Sequence, residues 1–155
     1  MSQRLRIQSC SDPDFVDGLI FRLREQIGWK PGMALADVPS VQELIHTPDV
    51  LTLGAWVDDV LCGAWLIHPH KGRCHHVHSL LLPPARGRTG IELGKLGMKW
   101  IWEHTGWDEL WTTHATARKD VRFFAKQVGF EVVEEFVDDG TPTTLLVIHR
   151  PKENQ

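Results

Sequence analysis

A mixed α/β sheet in a single domain is the fold class that three observations predict. Short apolar runs of strand length recur along the chain, at residues 50–57, 60–68, 75–82, 109–114, 130–137 and 143–149. Between some of them lie stretches with apolar residues at helical spacing, at 13–27, 91–104 and 117–128. Most strands are joined by hairpin-length turns, but a helix separates 75–82 from 109–114, which makes those two parallel neighbours.

In order, residues 4–10 alternate Leu5, Ile7 and Ser9 against Arg4, Arg6 and Gln8, a first strand. Ser11-Asp12-Pro13 is a helix start, and Phe15, Leu19, Ile20, Leu23 and Ile27 form an apolar stripe that stops at Gly28. Pro31 and Gly32 mark a loop, and Ser40 caps a short helix over 41–46. The runs 50–57 and 60–68 flank Asp58-Asp59, a hairpin pattern, and Gly63 inside the second marks a bulge or a close backbone approach. Lys71-Gly72 turns the chain into the strand 75–82, which Pro83-Pro84 ends. Leu93, Leu96, Gly97, Trp100, Ile101 and His104 set the stripe of the central helix, with Gly94 and Gly97 implying close packing, and Thr105-Gly106 stops it. The strand 109–114, a helix to Val128 before Gly129, and two strands around Asp138-Asp139-Gly140 complete the order β-α-α-β-β-β-α-β-α-β-β. Residues 1–150 read as one domain and 151–155 as a solvated tail.

A length of 155 residues suits one core, and 42% hydrophobic with 24% charged residues is ordinary for a globular protein. A formal charge of −3 argues against a nucleic-acid partner. No apolar run reaches membrane-spanning length and the first residues lack the apolar core of a secretory signal, so no membrane partner and a cytoplasmic location are expected. Three cysteines without a C-x-x-C pair do not make a disulfide framework. A homodimer through the last strands leaves no motif and stays open.

The most informative stretch is HHVHSLLLPPARGRTGIELGKLGMKWIWE, residues 75–103. A strand runs into a loop bearing Arg86, Gly87, Arg88 and Gly90, and the loop feeds a helix N-terminus. Unpaired helix N–H groups, the positive end of the macrodipole and two guanidinium groups together suit an anion. The plain alternative is a strand-to-helix turn with solvated arginines. Glu92, read as lying in the first helical turn, is a partner for the dipole.

With that order laid out, the sequence resembles the GCN5-related N-acetyltransferase (GNAT) family. LLLPPARGRTG is similar to the family's strand end and pyrophosphate loop, and RKDVRFFAKQVGFEVV to its later helix and strand. Arg86 and Gly87 fall in place, but Thr89 and Ile91 stand where the loop pattern has glycines. Phe124, Gly129 and Phe130 fit the second motif, Arg118 stands where asparagine is usual, and Ala125 where tyrosine is usual. The resemblance implies acetyl-CoA as acyl donor, an amine as acceptor, and a splayed central pair of parallel strands that opens a V-shaped slot for the thioester. It implies that the backbone of Leu80, Leu81 and Leu82 pairs with the pantetheine arm. It places the pyrophosphate on Arg86, Gly87, Arg88, Thr89 and Gly90, with Arg118 and Phe124 also on the cofactor side. The acceptor would be shaped by the loop holding Trp29 and Met33.

Catalysis needs a route for the amine proton. The family's usual general acid is a tyrosine, and this chain has no tyrosine at all. His76 and His78 share one face of their strand upstream of the leucines, and an imidazole with an ordinary pKa near 6.5 suits a base. His114, at the end of the next strand, is the candidate acid. Each has a structural alternative as a hydrogen-bonded, partly buried histidine.

Two rivals stand beside this reading. His68, His70, Cys74, His75, His76 and His78 fall within eleven residues, and imidazole and thiolate are natural ligands for zinc, nickel or copper, so a metal-binding module is one. No carboxylate accompanies the cluster, and the acyltransferase reading itself calls for no metal. The other is a catalytically silent CoA-binding protein of the same fold, which Ala125 favours.

Overall fold

The computed structural model describes residues 3–9, 51–70 and 74–152. The helices expected at 13–27 and 41–46, with Trp29 and Met33, lie outside the described residues. The described elements are β1 (Leu5–Ser9), β2 (Leu51–Val57), β3 (Val60–His70), β4 (Cys74–Leu81), a 3-10 turn (Pro83–Ala85), α1 (Gly87–His104), β5 (Glu109–Ala115), α2 (Lys119–Val128), β6 (Glu131–Asp138) and β7 (Thr141–His149). Seven strands form one sheet in the order β1-β2-β3-β4-β5-β7-β6. β4 and β5 pair parallel through His75↔Leu110 and His76↔Trp111, as the intervening helix required.

Packing sorts the chain into two compact units, Met1–His68 with His78–Arg86, and Pro69–Val77 with Gly87–Gln155. In the first, β1 pairs antiparallel with β2, and β2 with β3. The β2–β3 turn places both Asp58 (φ 49°) and Asp59 (φ 67°) in the left-handed region, the geometry of a type I′ hairpin. Aspartate tolerates that region, and both side chains are used: Asp58 accepts from the amide of Arg4 at 2.9 Å, and Asp59 pairs with the Arg4 guanidinium at 2.7 Å. Cys62 through Ile67 are almost all buried on both faces, which is why β3 reads as a continuous apolar run rather than an alternating one.

Both expectations for Gly63 hold. The register passes from Ala55↔Gly63 to Trp56↔Leu61, leaving Cys62 as the extra residue of a bulge. A Cβ on Gly63 would stand 2.9 Å from the Leu80 carbonyl oxygen and 2.7 Å from Leu81 Cδ2, so the end of β4 lies directly against it.

In the second unit, β5 pairs antiparallel with β7 and β7 with β6 around Asp139 (φ 48°) and Gly140 (φ 80°). The stripe that α1 buries is Gly90, Leu93, Gly94, Gly97, Met98 and Ile101. It is rotated from the expected one: Leu96 is 38% exposed, Trp100 is half-buried and His104 is exposed. The reason is that the helix packs through its glycines. At Gly94 a Cβ would meet Val128 Cγ2 at 2.7 Å and the Phe124 ring at 3.6 Å, so α2 sits close over α1.

The C-terminal end of α1 is held by Arg150. Its guanidinium donates to the carbonyl of Trp102 (2.7 Å), one of those a helix end leaves without an intrahelical partner, and to those of Thr105 (2.7 Å) and Trp107 (3.0 Å) just beyond it.

Candidate functional site

The stretch from Ser79 to Gly90 is where strand, turn and helix meet. Most of the expected loop over 83–90 is ordered secondary structure. Pro83 opens the 3-10 turn, in which Ala85 donates to the Leu82 carbonyl (2.9 Å) and Arg86 to that of Pro83 (3.1 Å). Gly87, at φ 68°, then turns the chain in a conformation other residues rarely adopt, and α1 begins there rather than at Ile91. Arg88, Thr89 and Gly90 therefore belong to the first turn of the helix. Thr89 needs no glycine-only conformation, which accounts for its departure from the family pattern. No acidic residue lies in that turn, so Glu92, one turn further on and exposed, is not the dipole partner that the sequence had placed there.

The backbone of β4 corrects the expectation of three consecutive leucines. The amide of Leu82 donates to the Cys62 carbonyl at 2.8 Å, so this residue faces β3. Hydrogen-bonding groups of successive strand residues point to opposite edges, and the Leu80 carbonyl accordingly lies against Gly63 on the β3 side. On the outer edge, the Val77 carbonyl accepts from Thr112 Oγ1 at 3.0 Å and the Leu81 carbonyl accepts from Arg86 Nε at 2.9 Å. An extended amide-bearing ligand on that edge meets Ser79 and Leu81, not Leu80 or Leu82. Ser79 is exposed, and nothing in the sequence pattern singled it out.

The candidate histidines His76, His78 and His114 are on strands, as expected. His76, His78 and Leu80 share a face of β4. His76 stacks on Trp111 with centroids 3.9 Å apart and planes at 8°, and His75 stacks on Trp107 at 3.9 Å. His78 Nε2 faces His68 Nε2 at 3.0 Å. Burial, and then the neighbouring His68, lowers the His78 pKa from 6.5 to about 4. His78 is thus neutral at neutral pH and a weaker base than an ordinary histidine. His68, His76 and His78 are the described group whose ring nitrogens could hold a metal ion.

His114 is 8% exposed, and its Nδ1 stands 2.7 Å from the Ala115 carbonyl. A carbonyl only accepts, so Nδ1 carries a hydrogen. The ring's Nε2 is buried with no hydrogen-bond partner among the described residues.

Arg118 is engaged before any ligand arrives. Its Nε and Nη2 donate to the two carboxylate oxygens of Asp120, each at 3.0 Å, and those bonds hold Asp120 at about 2. Phe124 meets α1 at Gly94 and so helps fix α2 on the helix that begins at Gly87. Ala125, at the family's tyrosine position, is 5% exposed and part of the core.

This arrangement is the fold of the GNAT acetyltransferases. Among solved structures, the chain is similar to a chimera of the spermidine N-acetyltransferase SpeG from Vibrio cholerae with hSSAT, at TM-score 0.69 and 13% identity over 94% of this chain and 95% of that one. A putative acetyltransferase from Acinetobacter baylyi ADP1 superposes at TM-score 0.71 and 11% identity, covering 99% of this chain and 100% of the other. An acetyltransferase of the GNAT family from Streptococcus pneumoniae matches at 0.63 and 12%, covering 94% and 99%. No protein-family model and no curated protein sequence matches the chain.

Proposed function

We propose that this protein is an acetyl-CoA-dependent N-acetyltransferase acting on an amine acceptor. The observation that carries the reading is the path from the outer edge of β4, through the turn at Gly87, into an 18-residue helix whose first turn holds Arg88 and no acidic residue. Pantetheine amides would pair with Ser79 and Leu81. The pyrophosphate would sit on the N-terminal amides of α1 with Arg86 and Arg88. The neighbours' names are consistent with amine acetylation, one of them with spermidine as acceptor.

In the reaction, the neutral amine adds to the thioester carbonyl, the C–S bond breaks on collapse, and the amine's extra proton passes to an imidazole. His78 and His76 are the groups to accept it, with His114 Nε2 as a further acceptor. No side chain is required to protonate the sulfur. A thiol of ordinary pKa near 8.5 leaves as thiolate far more readily than an alkoxide, and takes its proton from water. A second reading, a CoA-binding protein without turnover, is favoured by the buried Ala125 and the lack of tyrosine.

Calorimetry with acetyl-CoA and thiol release across a panel of amines separate the two. Micromolar binding with release supports the enzyme, and binding without release on any amine supports the silent form. Absence of heat at millimolar acetyl-CoA overturns both.

A further inference from the structure

We infer that the outer edge of β6 is a docking strand for an extended segment of another protein in which lysine or arginine alternates with apolar residues. β6 closes the described sheet with β7 as its one strand neighbour, and every residue of its EVVEEFVD sequence is exposed. An edge strand keeps a row of backbone N–H and C=O groups on its outer side, a template for one more strand. Val132, Val133, Phe136 and Val137 are all exposed on this one strand, a contiguous apolar patch rather than scattered residues.

The register with β7 sorts the strand into two faces, because cross-strand partners share a face and alternate residues change it. Glu131, Glu134, Phe136 and Asp138 pair with Val147, Leu145, Thr143 and Thr141 and so share one face. Val132, Glu135 and Val137 pair with Leu146, Thr144 and Pro142 and share the other. Charge divides the same way. Glu135 is answered by Arg122 at 3.1 Å, whereas Glu131, Glu134 and Asp138 have no ion pair among the described residues.

That pattern selects the occupant. A strand laid along the edge sets alternate residues beside the three carboxylates and Phe136, and the others beside Val132 and Val137. Cations suit the first row, where their stems also cover a phenyl ring, and apolar side chains suit the second. A second copy of β6 would bring carboxylate against carboxylate, since the strand carries acids and no base. Charges of a single sign thus bar the edge to itself and leave it open to a basic strand.

The edge is built from β6 and β7 alone, within one compact unit, and does not depend on the acyltransferase reading. The probe is an end-blocked peptide, Val-Lys-Val-Lys-Val-Lys-Val, titrated into the full-length protein by calorimetry and amide NMR. A Kd of about 100 µM or tighter at low salt is expected, weakening as salt rises, with shift changes on residues 131–138. Glu134→Lys should weaken binding at least about fivefold, while Glu92→Lys, the same charge change at an exposed position of α1, should not. No binding at about 1 mM peptide, equal binding of the peptide with N-methylated amides, or full affinity in Glu134→Lys overturns the site. So does a dimer of the protein alone that Val137→Lys dissociates, since that gives the edge to a second copy.

Discussion

The amide of Leu82 donates to the carbonyl of Cys62 across 2.8 Å, and this one bond assigns every residue near the end of β4 to an edge. Leu82 and Leu80 are committed to β3, whereas Ser79 and Leu81 face outward. Proline at position 79 would remove an outward amide while leaving the β3-facing ladder intact, as edge positions tolerate. Ser79→Pro is expected to weaken acetyl-CoA at least about tenfold by calorimetry, with the cooperative thermal transition preserved. Unchanged affinity in a folded variant would place the donor elsewhere.

Arg86 and Arg88 are exposed, so their contribution to the diphosphate should respond to salt. Replacing both by alanine is expected to cost about 1–3 kcal/mol of acetyl-CoA binding at low ionic strength, and less at high salt. Pantetheine fragments lacking the diphosphate should not distinguish the variant from the wild type. A uniform loss for both ligands would point to a distorted strand instead.

The buried His78 makes stability depend on pH with a definite sign. Its pKa falls from 6.5 to about 4 on folding, so between those values the unfolded chain binds a proton that the folded chain does not. Stability should therefore drop as the pH is lowered from about 6.5 to about 4, and this group should add no slope above or below that window. Chemical denaturation in EDTA reads the slope, and His78→Asn should flatten it. A variant whose curve runs parallel to the wild type would exclude His78 as the source.

Two close-packed positions carry stability predictions. Gly94→Ala would drive a Cβ to 2.7 Å from Val128, and Ala125→Tyr would force a phenol into a 5% exposed site. Overpacking of this kind typically costs about 1–3 kcal/mol, with the tyrosine at or beyond the upper end. Urea midpoints would show it. The tyrosine variant is expected to gain no acyl-transfer rate, because the core position does not present a hydroxyl to a thiolate; a faster variant would contradict that placement.

Arg150→Ala removes three carbonyl partners at the end of α1. A loss of about 2–4 kcal/mol is expected, given that bonds from charged donors are worth roughly 1.5–3 kcal/mol each and are not additive. Arg150→Lys should recover only part of it, since one ammonium cannot reproduce a planar fork reaching three oxygens.

Local chemistry made much of the fold legible in the sequence. Period-two runs, the Asp58-Asp59 and Asp139-Gly140 turns and the helix between two strands were enough for the described elements in chain order and the parallel pair. So was the basic turn before α1, because glycine, proline and arginine act through their immediate neighbours. Register and approach were not legible. Which edge Leu82 faces depends on a bulge at Cys62 in another strand, which face α1 buries depends on Val128 arriving at Gly94, and which way the His114 ring is held depends on the Ala115 carbonyl accepting from its Nδ1. The sequence by itself determined the described strands and helices; tertiary structure alone decided which of their groups are buried and which lie at an open strand edge, because burial and hydrogen-bond partnership are set by residues distant in the chain.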